Sequence, residues 1–368
     1  MSQPSEHDTD LDDLDRALLN ALQWDFPVEA RPYAALADRL GTTEDEVCAR
    51  VAQVKELGVL RQLSAIFDTR ALGYGSSLVA AKVDPDHIDA AAAVINEHPG
   101  VSHNYKRNHA YNLWYTLAVP PGASLDEHLD VLHRESGALV TRMLPTLQLY
   151  KIGVKLDMTG STAADARSEV LEHERPERRP DMAAPSLTAE EVATIRVVQE
   201  DLPLTPRPFA AQAVLVGVSE DELLGILASL KERKLMRRFA AVMNHRSAGF
   251  KANAMGVWVV PEDRLDEIGP RMAGFSLVSH CYRRPTYEDW PYSVFTMVHG
   301  KNARDCEQTI AAIQAETGVD EFVLLWSVKE YKKTRVKYFT PDWDEWARAH
   351  GLDGTPHPVP ATAGTPGE

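Results

Sequence analysis

Cysteine is scarce: Cys48, Cys281 and Cys306 are the only three in 368 residues. That number excludes a disulfide framework, and no two of them have the short spacing of a metal-binding pair. Long apolar runs are missing as well. None approaches the roughly 20 residues needed to span a bilayer. The opening MSQPSEHDTDLDDLD is acidic and polar, unlike a signal peptide, so a cytoplasmic, reducing location is expected and no membrane partner. Positive charge is in deficit, with 39 Lys and Arg against 54 Asp and Glu, a net −15. General nucleic-acid binding is disfavoured, because duplex affinity needs surplus cations at the phosphates. What remains is an ordinary globular composition, 44% hydrophobic and 25% charged, long enough for two or three domains with their own cores.

The most informative feature present is self-similarity. RPYAALADRLGTTEDEV (31–47) and RPFAAQAVLVGVSEDEL (207–223) are identical at nine of 17 positions, at an offset of 176. The same offset aligns Leu72-Gly73-Tyr74 with Ala248-Gly249-Phe250, and one residue later VSHNYKR (101–107) matches VSHCYRR (278–284). The chain therefore reads as a tandem duplication. Each copy opens with amphipathic helices and a strand in a winged helix-turn-helix pattern, over 10–68 and 187–244. Each continues with strands and helices in the order βαββαβ, over 69–158 and 245–340, the order of a ferredoxin-like sandwich. The expected fold is thus α+β. Residues 159–186 read as a solvated linker and 351–368 as a disordered tail. In the first helix-turn-helix Val47, Val51, Val54 and Leu57 form the expected buried stripe, and VLRQLSAIFD follows as a hairpin-like strand.

The recognition helices lack readers. A DNA-reading helix offers Arg, Lys, Asn or Gln near its N-terminus. Here the first turns are Glu44-Asp45-Glu46 and Glu220-Asp221-Glu222, so the helix-turn-helix units are expected to be structural or dimerising, with no nucleic-acid partner.

Strand alternation puts His103, Tyr105 and Arg107 on one face, and His280, Tyr282 and Arg284 on the matching face of the second copy. A buried face rarely carries His and Arg two pleats apart. An exposed sheet face or an interface patch would tolerate them; recurrence in both copies favours a ligand site. Lys106 and Arg283 sit beside the rows. The following loops supply His109, Tyr111, Tyr287 and Trp290, the next strand Trp114, and the last strands Lys151, Lys155, Lys333 and Lys337. Cations interleaved with aromatics suit a flat apolar ligand fringed with carboxylates. His109 has no counterpart in the second copy and reads as an iron ligand, a second acid or a loop residue. The other histidines, His98 and His128 among them, are expected to be solvated. His299 is the exception to watch.

A winged helix-turn-helix followed by βαββαβ resembles the Lrp/AsnC regulators. The HxYxR rows and the DWPY loop narrow the resemblance: HNYKR…YNLWYTLAV with LQLYKIGVKLDM looks like one subunit type of the siroheme decarboxylases, and HCYRRPTYEDWPYSVFTMVHG with KEYKKTRVKYF looks like the other. The chain resembles a fusion of the two over about 340 residues. That resemblance implies conversion of sirohaem to 12,18-didecarboxysirohaem with loss of two carbon dioxide molecules, toward haem d1 or haem. No cofactor is implied beyond the iron of the substrate. Partners would be sirohaem and its mono- and didecarboxylated products, within an intrachain pseudo-dimer that could associate further with itself or a related subunit pair. His103 and His280 would then donate protons, Tyr105 and Tyr282 would orient or relay, and the surrounding cations would anchor retained carboxylates. A regulator sensing a small molecule and a tetrapyrrole carrier without catalysis remain the competing readings.

Overall fold

The computed structural model describes residues 11–24, 26–152, 185–243 and 252–352. The first copy runs α1 (Asp13–Trp24), α2 (Pro32–Leu40), α3 (Glu44–Glu56), β1 (Leu60–Phe67), β2 (Gly75–Lys82), α4 (Ile88–Glu97), β3 (His103–Arg107), β4 (Leu113–Val119), α5 (Leu125–Ser136), β5 (Val140–Leu144) and β6 (Gln148–Ile152). The second runs α6 (Ala189–Val198), α7 (Pro208–Val216), α8 (Glu220–Glu232), β7 (Met236–Met243), β8 (Ala252–Trp258), α9 (Leu265–Ala273), β9 (Val278–Arg283), β10 (Val294–Gly300), α10 (Ala303–Thr317), β11 (Phe322–Lys333) and α11 (Asp342–Ala349). The expected linker (159–186) as far as residue 184, and the expected tail (351–368) from residue 353, lie outside the described residues.

Local chemistry explains the helix ends. Proline occupies the first turn of α2 and α7, and glycine in the left-handed region (Gly41, φ 67°; Gly217, φ 85°) closes both. Thr43 caps α3 by accepting from the Glu46 N–H, and Ser219 forms a reciprocal capping box with Glu222 on α8. The acids in these first turns also have partners within the unit. Glu44 pairs with Arg31 and Glu220 with Arg207 at the symmetry-related place. Val47, Val51 and Val54 are buried, but Leu57 is 45% exposed, because it sits past the last helical turn as the C-cap.

The wing strand is not a hairpin. β1 pairs antiparallel with β7 of the other copy, from Leu60 opposite Met243 to Phe67 opposite Met236. A single apolar core, including Leu18, Val51, Phe209, Leu227 and Phe239, joins both helix-turn-helix units. Tyr338, Phe339 and Trp343 from the C-terminal segment complete it.

Exchange continues in the main sheet. Its nine strands lie in the order β5-β2-β4-β3-β11-β8-β10-β9-β6. β6 leaves its own copy to pair with β9 of the second. The first half of β11 pairs with β8, and its second half crosses to β3 of the first copy. Each copy therefore receives the other's last strand, and β5, absent from the expected strand order, keeps the outer place beside β2. Helices α4 and α5 pack on one half, α9 and α10 on the other, each over its own core. A fourth core holds Trp114, Tyr111 and Leu144 from the first copy with Met255, Val257, Trp290, Phe295 and Leu325 from the second, on the opposite faces of the two halves. Those are the faces that carry the His-Tyr-Arg rows.

Candidate active site

Each row forms a ladder of rings along one strand. The His103 and Tyr105 ring centres are 6.2 Å apart, and the Arg107 guanidinium lies 5.7 Å from the Tyr105 ring centre. In the second copy His280 and Tyr282 are 6.0 Å apart, with Arg284 4.8 Å from Tyr282 and 5.5 Å from Phe295. The spacing is that of alternate residues on a pleated strand.

The imidazoles are oriented by the preceding serines. Ser279 Oγ lies 2.8 Å from His280 Nδ1 and donates to the Met297 carbonyl at 3.2 Å. The one hydroxyl proton of Ser279 is thus used, so toward His280 it accepts, which places the imidazole proton on Nδ1. In the first copy Ser102 Oγ sits 3.0 Å from His103 Nδ1 and 2.7 Å from Thr116 Oγ1. Burial, then the neighbouring Lys333 ammonium, holds His103 below the usual imidazole range.

Both arginines are buried and fastened to the exchanged architecture. Arg107 Nη1 donates to the Leu325 carbonyl at 3.0 Å, and Arg284 Nη1 donates to the equivalent Leu144 carbonyl. Burial lowers each guanidinium to about 10. The buried Nε of each has no hydrogen-bond partner among the described residues. Burial raises Tyr282, so it is a neutral phenol at pH 7.

A cleft of about 250 Å³ opens between the copies. Tyr282 and Arg284 of the second copy form one wall. Across from them stand Ser76, Ser77, Ser102 and Thr116 of the first copy, with Thr69 and Arg70 from the turn after β1. Its described lining includes no Asp or Glu.

Several expected site residues lie elsewhere. Trp114 and Trp290 are fully buried, 5.3 Å apart, and Tyr111 packs edge-on to Trp290 at 5.4 Å. These aromatics fill the seam between the copies, because each sheet half covers the aromatic face of the other. Tyr111 Oη also donates to Asp289 at 2.5 Å, and Arg142 grips the same carboxylate with two bonds of 3.0 and 3.1 Å. Tyr287 donates to the Met143 carbonyl under the Arg142 guanidinium. The DWPY loop is thus a clamp across the copies. His109 stands edge-on to Trp290, half-buried, and its Nδ1 accepts the Tyr111 N–H at 3.0 Å. The neutral ring then carries its proton on Nε2 and has no lone pair for iron while that bond holds.

Alternation turns other cations to the helix side. Arg283 pairs with Glu262, and Lys106 lies near enough to Asp89 to lower its carboxyl. Lys151, in register with Cys281, is buried and donates to the Phe275 carbonyl at 2.9 Å. Lys337 pairs with Glu200 at 2.8 Å. Lys333 does join a row, directly opposite His103. Lys155 lies outside the described residues.

Two histidines read as solvated are buried. His98 Nε2 and His128 Nδ1 are 2.8 Å apart, under Trp346 of α11. Helix α11 has no counterpart in the first copy's pattern, so nothing in the repeat pointed to a lid there. Arg70 and the hydroxyl wall also escaped the sequence reading, since single Ser, Thr and Arg residues on a turn and a strand carry no pattern of their own.

The AsnC-like ligand binding domain family matches residues 71–151 and 247–332, and the siroheme decarboxylase NirDL-like HTH domain matches 15–61 and 191–237. A siroheme decarboxylase of Hydrogenobacter thermophilus is 39% identical over 330 residues, 89% of this chain and 96% of the relative. The chain belongs to the siroheme decarboxylase family. A siroheme decarboxylase alpha subunit of Oleidesulfovibrio alaskensis is 42% identical over 165 residues, 45% of this chain and all of that subunit. This family member thus carries two subunit-sized copies in one chain. The crystal structure of the siroheme decarboxylase NirDL in complex with an iron-uroporphyrin III analogue superposes with a TM-score of 0.73 at 33% identity, covering 92% of this chain and 98% of that one. Among the described residues, no helix of this decarboxylase is long and apolar enough to cross a membrane.

Proposed function

We propose that this chain converts sirohaem to 12,18-didecarboxysirohaem with release of two carbon dioxide molecules, a step toward haem d1 or haem, in the reducing cytoplasm that its free cysteines suit. The observation that carries the reading is the cleft between the copies, which presents arginines and hydroxyls and no acid. In a chain of net charge −15, such a cleft selects an anion. The likeness to a NirDL structure holding an iron-uroporphyrin III analogue supports a carboxylate-fringed tetrapyrrole as that anion. At about 250 Å³ the cleft takes the edge of such a ring and its arms.

Loss of an acetate carboxylate as carbon dioxide leaves its electron pair on the methylene. The conjugated ring accepts that density, and one proton converts the methylene to a methyl group. No further cofactor is invoked, and the only metal is the substrate's iron. His280 and His103 are the assigned proton donors, with Tyr282 and Tyr105 orienting them or relaying the proton. Arg284, on the cleft wall, anchors a retained carboxylate, and Arg107 takes the matching role in the first row. His103 is neutral in the empty protein. A carboxylate bound beside it would offset the Lys333 charge and shift it back toward the protonated form.

Anaerobic incubation with sirohaem followed by mass spectrometry tests the reading. Successive loss of two carbon dioxide units is expected. A Soret shift with unchanged mass would sink the enzymatic reading in favour of a carrier, and specific operator binding at physiological salt would revive a regulator.

A further inference from the structure

Arg70 occupies a place in this cleft that neither row accounts for. It sits on the turn joining β1 to β2 in the first copy, yet it shares the cleft with Tyr282 and Arg284 of the second. The turn is rigidly built. Asp68 Oδ1 accepts the backbone N–H groups of Arg70 and Ala71 at 3.0 and 2.9 Å, and Thr69 Oγ1 lies 2.7 Å from Tyr338 Oη. The Asp68 carboxylate is therefore already committed, and its other oxygen takes Arg237 at 2.9 Å. The Arg70 side chain is exposed and has no ion pair among the described residues.

Two guanidinium groups facing one cleft without a carboxylate between them repel each other. Arg70 adds to the lowering of Arg284 that burial begins, which is the signature of that proximity. Such an arrangement is unfavourable when empty and is relieved by an anion bound between the two groups. The sequence repeats the feature: at the offset of 176 the second copy also has an arginine, Arg246.

We infer that Arg70 is a substrate-binding residue that grips a retained carboxylate of the tetrapyrrole from the copy opposite the Tyr282–Arg284 row, so that the bound ring ties the two copies together. The inference rests on the tetrapyrrole reading above. Its geometry needs the copies in one chain or one tight dimer, since the row alone offers one wall.

Equilibrium titration of the full chain with iron-uroporphyrin III, an octacarboxylate, tests it, with the tetracarboxylate iron-coproporphyrin as a control. Arg70→Ala is expected to weaken iron-uroporphyrin binding about tenfold, a loss of about 1.4 kcal/mol, and Arg70→Glu more than that. Arg70→Lys should recover part of the loss. The salt dependence of binding should be shallower in Arg70→Ala than in the unaltered protein. In sirohaem turnover, KM should rise while kcat holds within about twofold. Because Arg70 is exposed, the melting temperature should stay unchanged, which separates a binding role from a structural one. Affinity within twofold of the unaltered protein in both Arg70→Ala and Arg70→Glu overturns the inference. If the unaltered protein itself binds neither porphyrin, the tetrapyrrole reading fails instead.

Discussion

Lys333 stands directly opposite His103 across the β11–β3 ladder, at the seam where the second copy's last strand enters the first copy's sheet. At the matching place in the other half, Ile152 stands opposite His280. The two rows are alike in sequence but differ in charge, and the difference comes from the strand each receives from its partner.

That contrast predicts a pH effect. Burial and the Lys333 ammonium together hold His103 down. Replacing Lys333 with Met removes a like charge, so the His103 pKa should move up toward the ordinary imidazole value near 6.5. Titration of its ring protons by NMR reads this directly, and no upward movement would mean that Lys333 is too well solvated to matter.

The rows should also differ from their surroundings in kinetics. His280→Ala is expected to lower turnover about 100-fold or more, the usual contribution of a positioned acid, while iron-uroporphyrin affinity holds within about threefold. Normal turnover in both His280→Ala and His103→Ala would remove the proton-donor assignment.

The Asp289 clamp carries a stability prediction. Arg142 and Tyr111 hold its carboxyl down to about 2. A depressed carboxylate stabilises the fold above the unfolded value near 3.9, and the contribution disappears as pH falls through the folded value. The group is partly solvated, so Asp289→Asn should cost only about 1 kcal/mol at pH 7. It should also erase the difference between the two proteins in acid. Urea denaturation at neutral pH and at or below pH 2 makes the comparison.

The buried His98–His128 pair also costs stability as pH falls, but in a higher pH window. Burial pushes His98 well below the imidazole range and His128 to about 4, with His350 of the C-terminal segment, and for His98 also Lys332, adding like charge. His350 is in turn paired with Glu135 at 3.2 Å. Histidines that stay neutral when folded cost nothing above the unfolded value near 6.5. Between there and about 4 the unfolded chain binds protons that the fold refuses, so stability falls. For His128 alone the loss is at most about 3 kcal/mol. Denaturation at pH 7 and pH 4.5 should show that slope, and His128→Gln should flatten it.

Strand exchange can be attacked at one glycine. A Cβ on Gly269 of α9 would lie 2.2 Å from the Tyr150 ring of the incoming β6. Gly269→Ala must displace that ring, and we expect a loss of about 2 kcal/mol or more, read as a lower melting temperature. An unchanged melting temperature would show that β6 can shift without cost.

Much of this was written in the chain. The period-176 repeat, the alternation in VSHNYKR and VSHCYRR, and the capping residues Thr43 and Ser219 are local signals that stand wherever the chain folds, so duplication, element types and the shared face of His, Tyr and Arg were legible. Alternation also turned Lys106 and Arg283 away from the rows, yet both were expected as carboxylate anchors; on the far face Arg283 pairs with Glu262 and the Lys106 charge lowers the Asp89 carboxyl. What the sequence could not state was which strand lies beside which. Hydrogen-bond ladders between β6 and β9, or β11 and β3, join residues more than a hundred positions apart and leave no periodic trace. That pairing alone buried Trp114 and Trp290 in a seam, gave Lys333 to His103, and brought Arg70 across to Arg284. Residue type and local spacing set the chemistry on offer; the exchange of strands decided which groups face a common cleft.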